Sequence, residues 1–102
     1  MAERTPGVAY SITVRSEYPN EPGMLGKITS AIGNAGGSAQ GVDVVQISKG
    51  RMIRDFTVNT YGHDHAIEIV EAIRAVDTVN IRSVSDQTFL LHVGGKIEMR
   101  SN

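Results

Sequence analysis

The sequence has 102 residues, 40% of them hydrophobic, which suffices for one core and one domain. Ten basic and eleven acidic residues give a formal net charge of −1, so no basic field attracts nucleic acid or anionic lipid. The sequence has no cysteine, which excludes disulfides, cysteine-ligated metals and a thiol nucleophile. Residues 1–7 form an N-terminal arm without the apolar core of a signal peptide, and no apolar run could span a bilayer, so we expect a cytoplasmic protein.

The first predicted element is a strand over residues 10–18, because apolar and polar residues alternate along it. The turn Asn20-Glu21-Pro22-Gly23 ends this strand, since proline fixes φ and disfavours helix in the residue before it. Beyond the turn the apolar period becomes helical, and Gly36-Gly37 is predicted to end the helix. The predicted apolar stripe of this helix consists of Leu25, Ile28, Ile32 and Ala35, flanked by Met24 and Ala31.

Two valine- and isoleucine-containing segments, residues 41–48 and 52–60, predict strands joined by the polar turn Lys49-Gly50-Arg51. So short a connection indicates an antiparallel hairpin. A second helix follows, with Asp64 predicted as its N-cap, and residues 79–84 predict a fourth strand. The predicted apolar stripe of the second helix consists of Ala66, Ile69, Val70, Ile73 and Val76.

The order β-α-β-β-α-β predicts an α+β, ferredoxin-like sandwich, a four-stranded antiparallel sheet with two helices on one face. Residues 89–99 follow this unit and predict two short strands around Gly94-Gly95, a C-terminal β-hairpin-like tail.

Several functions that this fold can carry are disfavoured by the residues present. Only five aromatic residues occur, and no basic, aromatic-rich third strand supports RNA binding. Arg15 lies in mid-strand, a poor position for an acylphosphatase-like anion site. His63-Asp64-His65 could ligate a metal, but its position at a helix start favours capping, so we expect neither metal nor catalytic residues here.

The Asn20–Gly23 turn is the strongest candidate for a binding site. The helix after it begins with free backbone amides and a positive dipole end, which together can seat a carboxylate. Asn20 can either cap that helix or bond a polar group of a ligand. A plain strand-to-helix turn without a ligand is the alternative interpretation.

Residues 8–85 resemble an ACT domain, a small-molecule-sensing module of metabolic enzymes. The resemblance is carried by Asn20-x-Pro22-Gly23-x-Leu25 and by the small-residue segment Gly36-Gly37-Ser38-Ala39. It implies an amino-acid or organic-acid effector bound at a subunit interface against the turn. By this resemblance, the effector-binding residues are Asn20, Pro22, Gly23, Met24, Leu25 and Ser38. Ser38 stands where some amino-acid-binding members have asparagine.

Residues 84–98 resemble the junction that follows the ACT domain in bacterial NAD-dependent malic enzymes, where Gly-Gly-Lys-Ile-Glu opens the catalytic region. The resemblance implies that residues 86–102 lead into such a region and that the 102 residues form a regulatory, non-catalytic fragment. NAD and a divalent metal are then expected only in the catalytic region, and no cofactor is expected in this fragment.

The second strand predicts self-association, because it carries apolar residues on both faces while an edge strand should have one wet face. The predicted dimer interface consists of Val42, Val44, Val45 and Ile47. We therefore expect a homo-oligomer, a two-fold dimer with the second strand or the first helix at its interface. A small-molecule effector is the expected partner, and neither nucleic acid nor membrane is. A structural dimerisation module without ligand and a freestanding ACT regulator are the alternatives.

Overall fold

Six elements follow one another in the predicted order across residues 10–86, the part of the chain that the structure, a computed structural model, describes. They are β1 (Tyr10–Pro19), α1 (Met24–Asn34), β2 (Ser38–Ser48), β3 (Arg51–Thr60), α2 (His63–Arg74) and β4 (Asn80–Asp86). The strands form one antiparallel sheet in the order β2-β3-β1-β4, which confirms the ferredoxin-like fold. The predicted arm (1–7) and tail hairpin (89–99) lie outside the described residues.

Alternation along β1 separates the two faces of the sheet as predicted. Ile12 and Val14 are buried beneath the helices, whereas Arg15 projects from the open face, the face that the helices do not cover. The neighbouring strand repeats the pattern, since Val14 pairs with Phe56 in register. The buried apolar core consists of Ile12, Val14, Tyr18, Met24, Ile28, Ile32, Met52, Phe56, Val58, Ala66, Ile69, Ile73 and Val79.

The apolar stripe of α1 differs by one residue from the prediction. Met24, Ile28 and Ile32 are buried at spacings of four, whereas Leu25 is 37% exposed. A residue one step along a helix is rotated by about 100°, so burying Met24 turns Leu25 towards solvent. In α2 the prediction is confirmed, since Ala66, Ile69 and Ile73 are buried while Val70 and Val76 pack at the margin of the core.

The prediction that Asp64 caps α2 is wrong. The helix begins at His63 with Gly62 as its N-cap, and no side chain bonds to the cap. Asp64 therefore lies within the first turn of α2. Its fully exposed carboxylate interacts favourably with the positive end of the helix dipole but bonds no backbone N–H at the helix start.

The apolar residues of β2 lie mainly on one face, and the prediction of two apolar faces is wrong. Val42, Val44 and Ile47 pair in register with Phe56, Arg54 and Met52, all on the helix side of β3. The register shifts between Val44 and Gln46, and this bulge inserts Val45 as an extra residue. Ile47 consequently returns to the face that Val44 occupies. The strand also begins at Ser38, three residues before the predicted start.

Candidate functional site

A tight turn joins β1 to α1, and its conformation explains why glycine occupies position 23. Gly23 has φ 89° and ψ −14°, in the left-handed region that side chains with a Cβ seldom adopt, and it is the N-cap of α1. The Asn20 N–H donates to the Gly50 carbonyl at 2.8 Å, so the turn rests on the β2–β3 hairpin. This bond holds the turn in place. No side chain bonds to the N-cap of α1, so Asn20 does not cap the helix.

Two backbone N–H groups in the first turn of α1 have no acceptor in the part of the chain that the structure describes. The Met24 N–H donates weakly to the Glu21 carbonyl at 3.3 Å, and that of Lys27 donates to the Gly23 carbonyl at 3.0 Å. Among residues 10–86, no backbone acceptor bonds the N–H groups of Leu25 and Gly26. The first turn holds no acidic side chain, so its positive dipole end is not neutralised locally. This arrangement can accept a carboxylate or another small anion.

Four of the six predicted effector-binding residues, Asn20, Pro22, Gly23 and Leu25, are exposed around this turn. A Cβ placed on Gly23 would meet nothing within 4 Å, so the space beside it is open. Met24 differs, because its side chain is buried in the core, where the Thr78 hydroxyl lies 4.0 Å from its sulfur. Met24 thus anchors the helix start from below.

Ser38 lies at the other end of the sheet from the turn. It pairs with Asn59, which pairs with Ser11 near the start of β1, whereas Asn20 follows the end of β1. Eight residues of β1 separate those ends, about 26 Å at 3.3 Å per residue. The Ser38 hydroxyl accepts a hydrogen bond from the Gln40 amide at 2.7 Å. Within one chain, the structure does not bring Ser38 to the Asn20 turn.

The edge strand β2 presents an exposed apolar surface, which we call the β2 edge patch. Its members are Val42, Val44, Val45 and Ile47, exposed by 38%, 53%, 41% and 58%. The strand pairs with β3 on one side, and no described strand pairs with its other side. Unpaired backbone groups and exposed valines together make such an edge suited to pairing with another strand.

The structure also contains an apolar groove that the sequence did not indicate. It has a volume of about 500 Å³ and lies between α2 and β4, with Ile67 and Val84 among its exposed walls. At one end the Tyr10 hydroxyl bonds to Asp86; burial, then this bond and the Asp86 charge, raise the pKa of Tyr10. Its lining comes from three separate elements, so no local sequence pattern could reveal it.

His65, in the first turn of α2, serves a structural purpose. The Tyr61 N–H donates to His65 Nδ1 at 2.9 Å, and His65 Nε2 lies 2.7 Å from the Ala35 carbonyl oxygen. Both ring nitrogens are therefore engaged.

Across residues 10–86, no group of three or more metal-ligating side chains could hold a metal ion. Neither described helix has the length and apolarity needed to cross a membrane.

The fold and the turn together define a class, a ferredoxin-like α+β domain with a glycine-cradled helix start at one end of its sheet. Comparison with protein families identifies it further. The family model of the ACT domain matches residues 6–89, and the chain therefore belongs to the ACT domain family.

Two similar proteins are much longer than this chain. The chain is 41% identical over 95 residues to an NAD-dependent malic enzyme from Geobacillus stearothermophilus, and these residues are 93% of the chain. It is 33% identical over 90 residues, 87% of the chain, to NAD-dependent malic enzyme 1 of Bacillus subtilis (strain 168). In each case the chain spans about 20% of the relative's length.

Solved structures of low sequence identity share the fold. The ACT domain from GTP pyrophosphokinase of Chlorobium tepidum superposes with a TM-score of 0.58 at 16% identity, over 74% of this chain and 95% of that one. The regulatory subunit of aspartate kinase from Thermus thermophilus, in its ligand-free form, gives 0.59 at 20% identity, over 76% of this chain and 51% of that one.

Proposed function

We propose that this chain is the regulatory region of an NAD-dependent malic enzyme, and that it binds a small carboxylate-bearing effector at the Asn20–Gly23 turn. The observation that carries the proposal is the start of α1, where the N–H groups of Leu25 and Gly26 have no acceptor among residues 10–86 and open space lies beside Gly23. Charge-assisted hydrogen bonds to a carboxylate are stronger than neutral ones, so an amino acid or organic acid fits this site.

Dimerisation through the β2 edge patch would complete the site. In a two-fold antiparallel pairing, the start of β2 in one subunit lies beside the end of β2 in the other. The end of β2 leads into the hairpin whose Gly50 carbonyl bonds Asn20. Such pairing would therefore bring Ser38 of one subunit towards the Asn20 turn of the other. Two predicted site residues that are far apart within one chain would then lie on the same side of the dimer interface.

The sequence relationship supports the link to malic enzymes, whose activity is conversion of malate to pyruvate and CO2 with NAD. Catalysis would belong to a separate region of the parent enzyme, and this domain would change it by binding its effector at the dimer interface. A structural dimerisation module and a freestanding ACT regulator are the alternatives; the malic-enzyme relatives favour the present proposal over the second.

Calorimetric titration of the 102-residue chain with a panel of amino acids and organic acids tests the proposal. We expect one class of carboxylate to bind, and Asn20→Ala to weaken it about tenfold, equivalent to about 1.4 kcal/mol. Gly23→Val should weaken it further, because a β-branched residue disfavours the left-handed backbone that sets the turn.

Glu68→Ala is the matched control, since Glu68 is exposed on α2, away from the turn. Circular dichroism and sedimentation establish that each variant is folded and dimeric. If such variants bind the effector as tightly as the parent, the site lies elsewhere. If no panel member binds the dimer, the structural-module alternative replaces the proposal.

A further inference from the structure

The open face of the sheet carries a concentration of positive charge at the end near the β2–β3 hairpin. Arg51 on β3 and Arg82 on β4 flank Glu17 on β1, and Lys49 lies in the hairpin itself. Three cations therefore surround one carboxylate. We call these four residues, with the surface between them, the open-face basic depression.

Glu17 orients the two arginines. Arg51 Nε donates to one carboxylate oxygen at 3.1 Å, and Arg82 Nη1 donates to the other at 2.7 Å. Each contact uses one nitrogen of a guanidinium that has five N–H donors, so most donors of both arginines remain available. Each oxygen of Glu17 is thus paired with one arginine, and the two ion pairs hold the guanidinium groups beside the depression.

Lys49 adds a charge that no described carboxylate neutralises, since none of the ion pairs within residues 10–86 includes it. It has φ 55°, and with Gly50 at φ 78° it forms the two-residue turn of the hairpin. The depression has a volume of about 320 Å³ and includes Gln46 and Ser48, which can donate neutral hydrogen bonds.

The neighbouring positions of the open face do not share this excess of charge. One step along the sheet, Arg15 binds Asp55 through two parallel hydrogen bonds of 2.8 and 2.9 Å, a closed pair of zero net charge. Asp43 pairs in register with Asp55 in the same row of the sheet, so this row carries a net charge of −1. The net charge of +2 is consequently local to the depression.

From this geometry we propose that the open-face basic depression is a second binding site, which takes a small dianion carrying carboxylate or phosphate groups. Paired guanidinium groups and an ammonium suit a ligand with two separated anionic groups. A larger anion would contact the Glu17 carboxylate, which would repel it. The site lies on the open face and uses none of the six predicted effector-binding residues, so it is distinct from the Asn20 turn.

Isothermal titration of the 102-residue chain with succinate, inorganic phosphate and acetate at low ionic strength tests this site. We expect a dianion to bind at least about tenfold more tightly than acetate, and added salt to weaken binding, because exposed charges are screened. Succinate and phosphate are separate arms, and the tighter one identifies the chemical class of the natural ligand.

Lys49→Asn and Arg82→Gln should each weaken binding about five- to tenfold, since each removes one cation; asparagine also tolerates the positive φ of position 49. Arg74→Gln is the matched control, because Arg74 makes an exposed ion pair with Glu71 on α2. In an Asn20→Ala background, Lys49→Asn and Arg82→Gln should weaken dianion binding by the same factors as in the parent, which separates this site from the proposed effector site. Absence of dianion binding by the parent, or equal loss in Arg74→Gln, would overturn the proposal.

Discussion

His65 fastens the start of α2 to the end of α1 through Ala35, with its Nε2 2.7 Å from the Ala35 carbonyl oxygen. Because the Tyr61 N–H donates to Nδ1, the imidazole is neutral with its proton on Nε2, and that N–H donates to Ala35. The ring also stacks on Tyr61 at a centroid distance of 4.7 Å. One side chain thus satisfies a helix-end carbonyl and a loop amide together.

Replacing His65 with alanine should destabilise the fold by about 1–2 kcal/mol, since two hydrogen bonds of about 0.5–1.5 kcal/mol each are lost. Urea unfolding monitored by circular dichroism measures the change. His63→Ala is the matched control, because the His63 side chain is 71% exposed and should cost much less. Equal losses in both variants would contradict a fastening role for His65.

Gly37 is predicted to accept no side chain, because α1, α2 and β3 converge on it. A Cβ at this position would lie 2.6 Å from Ile69 Cδ1 and 2.9 Å from Val58 Cγ1. Gly37→Ala should therefore cost about 1–3 kcal/mol through overpacking. Gly33→Ala is the opposite case: its Cβ meets nothing within 4 Å in α1, so it should stabilise by up to about 1 kcal/mol. Thermal unfolding of both variants checks the contrast.

The β2 edge patch is predicted to hold the dimer together. Val44→Lys and Ile47→Lys should each raise the dissociation constant at least about tenfold, because a charge on an edge strand blocks pairing. Sedimentation velocity at tens of micromolar measures the monomer fraction. Ile67→Lys on α2 changes a residue of similar exposure outside the patch and should leave the dimer intact. A parent chain that sediments as a monomer would contradict the predicted dimer.

Glu17 makes stability depend on pH in acid. Hydrogen bonds from Arg51, then from Arg82, lower the pKa of Glu17 below its ordinary value of 4.5. The stabilisation is therefore complete above pH 4.5 and is lost as the pH falls through the lower folded-state pKa. Glu17→Gln should be less stable than the parent at pH 7, with a difference that shrinks in acid. Urea midpoints against pH test this, and Glu68→Gln should run parallel to the parent.

Local periodicity was sufficient to predict the order of elements and most of the core. Alternation along β1 and the spacing of Ile69 and Ile73 in α2 depend only on which face each residue occupies. The Asn20–Gly23 turn was equally predictable, since proline restricts the backbone locally and glycine frees it; the structure gives Gly23 a positive φ. The ends of the helices and strands were harder to predict. Asp64, for example, falls inside α2 because the helix begins earlier, at His63 with Gly62 as its N-cap.

What the tertiary structure alone decided is which residues meet across the sheet. The bulge at Val45 places Ile47 on the face of Val44, and strand order makes β2 an edge. The same order separates Ser38 from Asn20 and gathers Arg51, Arg82 and Lys49 around Glu17. A sequence pattern reports on neighbours within a few residues, whereas register and strand order join residues more than 30 positions apart, such as Glu17 and Arg51.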